Sequence, residues 1–114
     1  MSKRRNIVIL NGPLYLEKLA TVNLDGNEVP IAVCAVETDR PALGGRHRVL
    51  AYGRMAQEVA AFVQAAGHNP LDCTVDGWLR TMPDESAVVI ADKITFHVGA
   101  EAAAEARRLL AEAL

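Results

Sequence analysis

The chain has 114 residues, of which 51% are hydrophobic and 23% charged, and its formal net charge is −2. This length suits one domain with one hydrophobic core, and this composition excludes a disordered chain. No apolar stretch approaches the roughly 20 residues that a membrane helix needs, and the basic start of the chain is not followed by a cleavage site for a secretory signal. We therefore expect a cytoplasmic protein that does not contact membranes.

Charge is unevenly distributed along the chain. Residues 1–54 contain eight Lys and Arg against five Asp and Glu, whereas residues 55–114 contain four against nine. A local basic excess suits a nucleic-acid partner, although solvated faces also show such asymmetry by chance. The distribution therefore allows a nucleic-acid partner without requiring one.

The first part of the chain predicts β-structure with turns. Residues 6–11 include three β-branched apolar residues and are followed by Gly-Pro, so they predict a strand that ends in a turn. Residues 14–24 continue with partial alternation, and the Asp-Gly-Asn that follows suits a tight hairpin turn. The return strand is expected over residues 28–38, where Pro30 lacks an amide hydrogen and predicts an edge or a bulge. A flexible loop is expected over residues 39–45.

The middle of the chain predicts a strand, a helix and a second strand. The first strand covers residues 46–52, and apolar residues at helical spacing then predict a helix over residues 55–66 that Gly67 caps. Residues 72–80 alternate cleanly between two faces. The face expected to be buried carries Cys73, Val75, Gly77 and Leu79. Trp78, the only tryptophan, is therefore expected to point away from the core.

The last part of the chain predicts a hairpin and a helix. A brief turn at residues 82–86 leads to a final strand at residues 87–97, and residues 99–114 form an alanine-rich amphipathic helix. This helix could pack on its own domain or on a neighbouring subunit, and its sequence does not decide between them. Three strands, a helix, two strands and a final helix follow the order of an OB-fold, with another α+β arrangement as the alternative. We assign residues 1–98 to the OB-fold domain and the last helix to no separate domain.

Five segments, taken in order, resemble the bacterial single-stranded DNA-binding protein family. They lie at residues 6–14, 29–36, 47–56, 77–81 and 88–96. The third, His-Arg-Val-Leu-Ala-Tyr-Gly-Arg-Met-Ala, is similar to the family's histidine-arginine-valine segment with its aromatic, glycine and basic residue. The resemblance covers roughly residues 5–98. It implies a mainly β, five-stranded OB-fold barrel with a helix between strands 3 and 4, to which this chain adds a C-terminal helix.

The chain also departs from the family pattern. The hairpin between the fourth and fifth strands, long and basic in the family, is cut to residues 82–86 with two acidic residues. Arg46 stands where the family often has a tryptophan. An alanine-rich helix replaces the acidic tail that the family uses to recruit repair and replication enzymes. These differences imply a smaller binding surface than in the family.

Binding a single strand requires cations for the phosphates and exposed aromatic faces on which bases stack. Trp78 and Tyr52 are the aromatic candidates. The cationic candidates are Arg46, Arg48, Arg54 and Arg80. Even-numbered residues from 46 to 52 share one strand face, so two of these arginines lie beside Tyr52. Tyr52 could instead be a core aromatic with its hydroxyl at the rim, and Trp78 could be covered by a base, a partner subunit or the C-terminal helix.

The resemblance also implies a homo-oligomer, a dimer or a tetramer. In the family the first strand pairs antiparallel with its symmetry mate, and the histidine that matches His47 lies at a subunit interface. Ile7 and Ile9 are apolar on the face opposite Val8 and Leu10, which indicates burial on both sides of this strand. We expect Ile7, Ile9 and His47 to lie at the oligomer interface.

Residues that could carry catalysis or bind a metal are scattered. His47, His68 and His97 lie on separate segments, and Cys34 and Cys73 lie inside apolar strands, where buried free thiols are expected. No serine or cysteine lies in a nucleophile motif, and the acidic residues of the 82–86 turn are expected to be solvated. We therefore expect no metal, no cofactor and no enzymatic activity.

The sequence thus leaves two functional hypotheses. The first is single-stranded DNA binding in replication, recombination or repair, with RNA as another possible ligand and replication or repair proteins as further partners. The second is an OB-fold module for protein interaction or assembly, similar to a primosome accessory, with little or no nucleic-acid binding. An open groove shared by Trp78, Tyr52 and Arg48 would favour the first.

Overall fold

Five strands of the protein close into a barrel that carries two helices. The computed structural model describes residues 6–39 and 45–113. The elements are β1 (Val8–Leu24), β2 (Asn27–Thr38), β3 (Gly45–Tyr52), α1 (Arg54–Ala66), β4 (Leu71–Thr81), β5 (Ala87–Phe96) and α2 (Ala100–Ala113). The strands close in the order β1-β2-β3-β5-β4, and only the β3–β5 pairing is parallel. This confirms the predicted mainly β, five-stranded barrel with a helix between β3 and β4 and an added C-terminal helix.

The predicted turn after residue 11 is wrong, because β1 continues through Gly12 and Pro13. The first part of β1 pairs with β4 and the second with β2, and Leu14 pairs with both. Pro13 lies just before this change of partner, where its missing amide does not interrupt the β2 ladder. A side chain at Gly12 would overlap the carbonyl oxygen of Glu37. The glycine therefore serves a close approach of two strands and not a turn.

The β1–β2 hairpin confirms the predicted turn. Asp25 and Gly26 have φ of 51° and 83°, and the Gly26 amide donates to Asn23 Oδ1 at 3.0 Å. Pro30 pairs with Thr21 of β1, but the β2–β3 register ends at Ile31, one residue later in the chain. Pro30 therefore occupies an edge on the β3 side, as expected. The predicted loop falls mostly on residues 40–44, which lie outside the described residues.

The interior of the barrel is filled by alternating small and branched side chains, and α1 closes one end of it. Ala56 and Val59 of α1 are buried among strand residues, and Gly67 ends the helix in the left-handed conformation, with its amide donating to Val63 and Gln64 oxygens. The interior strand residues are Leu14, Ala32, Cys34, Val36, Val49, Ala51, Cys73, Val75, Val89, Ala91 and Ile94. The alternation of β4 is confirmed up to Gly77, but Leu79 is 45% exposed and not buried as expected.

The C-terminal helix packs on α1 of its own chain. Ala106 and Leu110 of α2 are buried against Ala61, and Phe62 of α1 stacks on Phe96 with ring centroids 4.5 Å apart. This contact decides between the two positions that the sequence left open for the helix. No helix of the described residues is long and apolar enough to cross a membrane.

Candidate nucleic-acid interface

One row of side chains crosses four strands on the outer surface of the barrel. Trp78 of β4 pairs with Ile90 of β5, which is level with Leu50 of β3, and Leu50 pairs with Val33 of β2. The chain neighbours of Val33, Leu50 and Ile90 lie in the interior, so these side chains point outward, and Trp78 shares their face because it pairs with Ile90. The expectation that Trp78 points away from the core is confirmed, and its side chain is 38% exposed.

An apolar cluster covers the middle of this outer face. Ile31, Leu50, Val88 and Ile90 are at most 8% exposed, although they do not belong to the barrel interior. The residues that pack against them are Ala20, Val22, Val33, Tyr52 and Met82. Tyr52 is thus half-buried on the outer face, and not an aromatic of the barrel core. Its ring lies on the same outer face as Leu50 and Ile90.

Arg48 lies in a groove beside this cluster. Two adjoining cavities of about 300 and 400 Å³ share Arg48, Ser86 and Val88 in their walls, and the larger also includes Leu50. Arg80 of β4 pairs with Val88, so Arg80 projects on the same face from the other side of β5. Within the residues that the structure describes, neither arginine forms an ion pair. Two guanidinium groups therefore flank an apolar floor.

Arg46 is at the same groove but is neutralised. Its guanidinium contacts Glu37 at 3.0 Å and Glu17 at 3.3 Å, and it lies 4.6 Å from the centre of the Tyr15 ring. Hydrogen bonds to Glu17 and Glu37 raise the pKa of Arg46. The three charged groups together carry one net negative charge. Arg46 is thus placed to position Tyr15 and the two carboxylates, and it adds no net positive charge to the groove.

Arg54 lies apart from the other arginines, at the first residue of α1. Its guanidinium contacts Glu58 one helical turn later at 3.6 Å, and its side chain is more than half exposed. Because such exposed pairs are easily broken, the Glu58 contact does not fix the Arg54 side chain at the end of β3.

Asp84 is a groove residue that sequence reasoning missed. It is exposed to solvent, as expected, and it also lines the larger cavity with Arg48. The Ser86 hydroxyl and amide donate to its Oδ1 at 2.6 and 3.0 Å, and these bonds, together with the charge of Arg48, lower the pKa of Asp84. The turn therefore places a fixed negative charge in the groove. The turn lies beside β2 and β3 in the fold. No local sequence pattern predicts this contact.

A separate cavity lies beside Trp78. It measures about 530 Å³ and is lined by Asn6, Ile7, Asp76, Gly77, Trp78 and Asp92. The β4–β5 register shifts beside Gly77, so that Asp92 has no cross-strand partner and joins this wall. Because α2 packs on α1, the C-terminal helix does not cover Trp78. Asp76 and Asp92 were not predicted as site residues, since the bulge that brings them together depends on pairing.

The residues expected at an oligomer interface have different surroundings. Ile7 and Ile9 are 72% and 59% exposed, and in the described residues the first part of β1 pairs only with β4, which leaves its other edge open. His47 projects from β3 next to β2, and its Nε2 lies 2.9 Å from the Thr38 hydroxyl of its own chain. The interface role of these three residues stays a prediction.

The two cysteines and two of the histidines lie outside the groove. Cys34 and Cys73 are buried free thiols, as expected, and burial raises the pKa of both to about 12. A cleft of about 620 Å³ between α1 and α2 includes His68 and His97. In the two described stretches of the chain, no three His, Cys, Asp or Glu side chains converge as metal ligands would.

Several solved structures share this fold. The chain is similar to the SSB domain of a Synechococcus sp. protein (20% identity, 82% of this chain and 98% of that chain, TM-score 0.58). It is also similar to the small single-stranded DNA-binding protein of Streptomyces coelicolor (15% identity, 85% of this chain and 97% of that chain, TM-score 0.55). A third similar structure is the dimeric N-terminal domain of PriB from Thermoanaerobacter tencongensis (18% identity, 82% of this chain and 98% of that chain, TM-score 0.51).

No family model and no curated protein matches the chain. At these identities the structural likeness concerns the fold, which the strand order and the position of α1 support independently. The chain therefore has the OB-fold that is found in single-stranded DNA-binding proteins and PriB.

Proposed function

We propose that the protein binds single-stranded DNA in the groove along β3 and does not catalyse a reaction. The observation that carries the proposal is that Arg48 and Arg80 flank the apolar floor at Val88, with Tyr52 further along the same face. Single strands are bound by grooves that combine cations with aromatic faces. The fold supports the proposal, because similar structures include proteins described as single-stranded DNA-binding.

Each group in the groove has a distinct role in this proposal. Arg48 and Arg80 contact phosphates, and the half-buried ring of Tyr52 stacks on a base, which contributes on the order of 1–3 kcal/mol. Arg54 contacts a phosphate at the end of β3 after releasing Glu58. Arg46 holds Glu17 and Glu37 and shapes the other end of the groove. We do not extend this path to Trp78, because a phosphate there would face Asp76 and Asp92.

The proposal includes a homo-oligomer that uses β1. Antiparallel pairing of the open β1 edges of two copies would cover Ile7 and Ile9, which are the two most exposed large apolar side chains of the described residues. Pairing would also satisfy the main-chain groups of that edge. Such a binding protein would act in the replication, recombination or repair of DNA in the cytoplasm. Its further partners would be the proteins of those processes.

Fluorescence anisotropy of a labelled oligo(dT) tests the proposal. Binding should weaken as salt rises, with a slope of log K against log salt of about −0.7 for each phosphate contacted. In the Arg48→Ala/Arg80→Ala protein, two phosphate contacts are removed, so the slope should become less negative by about 1.4. Arg107→Ala, which removes an exposed charge from α2, is the matched control and should keep the slope. Absence of binding at low salt would refute the proposal, and an unchanged slope in the double variant would refute the groove.

Two observations favour an assembly module as the second candidate. The turn that would extend the groove is short and places Asp84 beside Arg48, and Arg46 is occupied by two carboxylates. Both features reduce the attraction for phosphate. An oligomer measured by sedimentation, combined with no oligo(dT) binding, would support this second candidate.

A further inference from the structure

Trp78 is the largest exposed aromatic of the described residues that the proposed DNA path does not use. Its cavity of about 530 Å³ lies on the β1–β4 side of the outer face, whereas the groove lies on the β3 side. Ile7, at 72% exposure, lies in the same wall. An indole left exposed next to a cavity forms a surface suited to a partner.

The charges around Trp78 select the kind of partner. Asp76 and Asp92 line the cavity, and neither forms an ion pair within the described residues. Lys93 lies opposite Asp76 in the register, so these three described groups together carry one net negative charge. Carboxylates beside the ring oppose a phosphate and favour a cation. An indole face also attracts a cation through its quadrupole.

We propose that the cavity at Trp78 binds an arginine side chain from an extended segment of a partner protein. A planar guanidinium can stack on the indole while it donates to a carboxylate, which an ammonium group does less well. Residues 6–13 of a second copy paired through β1 contain no Lys or Arg, so this part of its β1 brings no cation to the cavity. This inference does not depend on DNA binding.

The fluorescence of Trp78 reports directly on this cavity, because it is the only tryptophan of the chain. The probe is the peptide acetyl-Val-Arg-Val-Arg-Val-amide, and its matched control carries citrulline, which is uncharged and of the same shape, in place of arginine. The arginine peptide should change the emission with saturation below about 2 mM and bind about 5-fold more tightly than the citrulline peptide.

Protein variants locate the binding. Asp76→Asn/Asp92→Asn should reduce the affinity for the arginine peptide to that for the citrulline peptide. Asp72→Asn, which changes an exposed carboxylate of the same strand but outside the cavity, should leave the affinity unchanged. The comparison of the two peptides uses the unaltered protein, so it stands even where a variant is unstable.

Three results would overturn the inference. They are equal affinities for the two peptides, no emission change with the arginine peptide, and saturable quenching by oligo(dT) that the peptide relieves. The last would assign Trp78 to the nucleic acid, as the sequence-based expectation had it. Because anisotropy of oligo(dT) measures DNA binding separately, failure of this inference is distinguishable from failure of the proposed function.

Discussion

Replacing Gly77 by alanine should disrupt the β4–β5 bulge. A Cβ at Gly77 would overlap the carbonyl oxygen of Ile90 and lie 3.1 Å from Cγ1 of Val89. The oxygen belongs to the backbone of the paired strand, so the ladder itself must move. Movement here displaces both Asp76 and Trp78, because they are the chain neighbours of Gly77.

The cost follows from the kind of contact. Strain that forces a backbone shift within a buried ladder costs about 2–4 kcal/mol in the free energy of unfolding. For 114 residues the entropy of unfolding is about 0.24 kcal/mol/K, so a loss of about 3 kcal/mol lowers Tm by about 12 °C. A side chain at Gly99 meets nothing within 4 Å, so Gly99→Ala should cost less than about 1 kcal/mol, even though Gly99 precedes α2.

Thermal and urea unfolding monitored by circular dichroism measure both variants. Gly77→Ala should also shift the Trp78 emission of the folded protein, whereas Gly99→Ala should not. A Tm for Gly77→Ala within about 3 °C of the unaltered protein would show that the bulge relaxes freely, and the close approach of the two strands would then not be a constraint.

Three further predictions concern the thiols, the groove and the second helix. Cys34 and Cys73 keep a pKa of about 12 when folded against 9.0 when exposed, so the unfolded chain loses protons first. The free energy of unfolding should therefore fall as pH rises from about 9 toward 12, by up to about 1.4 kcal/mol per thiol and pH unit, and urea titrations of a Cys34→Ala/Cys73→Ala protein should lack this component. Asp84→Asn should tighten oligo(dT) binding about 2- to 3-fold at low salt and much less at high salt, and equal effects at both would contradict an electrostatic origin. Leu110→Ala should lower the free energy of unfolding by about 2–3 kcal/mol without changing the sedimentation coefficient, whereas a change of oligomer size would place α2 at an interface.

Local patterns in the sequence predicted those parts of the fold that depend on neighbours in the chain. The alternation in β4 placed Trp78 outward, and the position of Gly67 after a helical stripe predicted the end of α1. The turn predicted at residues 12–13 was wrong for the same reason. Gly-Pro has turn chemistry locally, but the change of pairing partner along β1 overrides it.

The candidate site was less accessible to sequence reasoning, because its electrostatics depend on long-range contacts. Arg46 meets Glu17 from 29 positions earlier in the chain, and nothing in either segment indicates this pair. Asp92 lines the Trp78 cavity because it is the unpaired residue of the β4–β5 bulge. Leu79 is exposed, against expectation, and it lies beyond Gly77, the last β4 residue that pairs with β1 in the described residues. The strand order explains all three, and periodicity alone explains none.

The outward row from Trp78 through Ile90 to Leu50 has a consequence for how two ligands would affect each other. Two strand spacings separate Trp78 from Leu50, which is about 10 Å. This is close to the Debye length at physiological salt, so a cation held at Trp78 would still attract a phosphate in the groove of Arg48. Each ligand would then raise the affinity of the protein for the other by the same factor, since coupling free energies are reciprocal. High salt would remove this mutual reinforcement before it abolished either binding event.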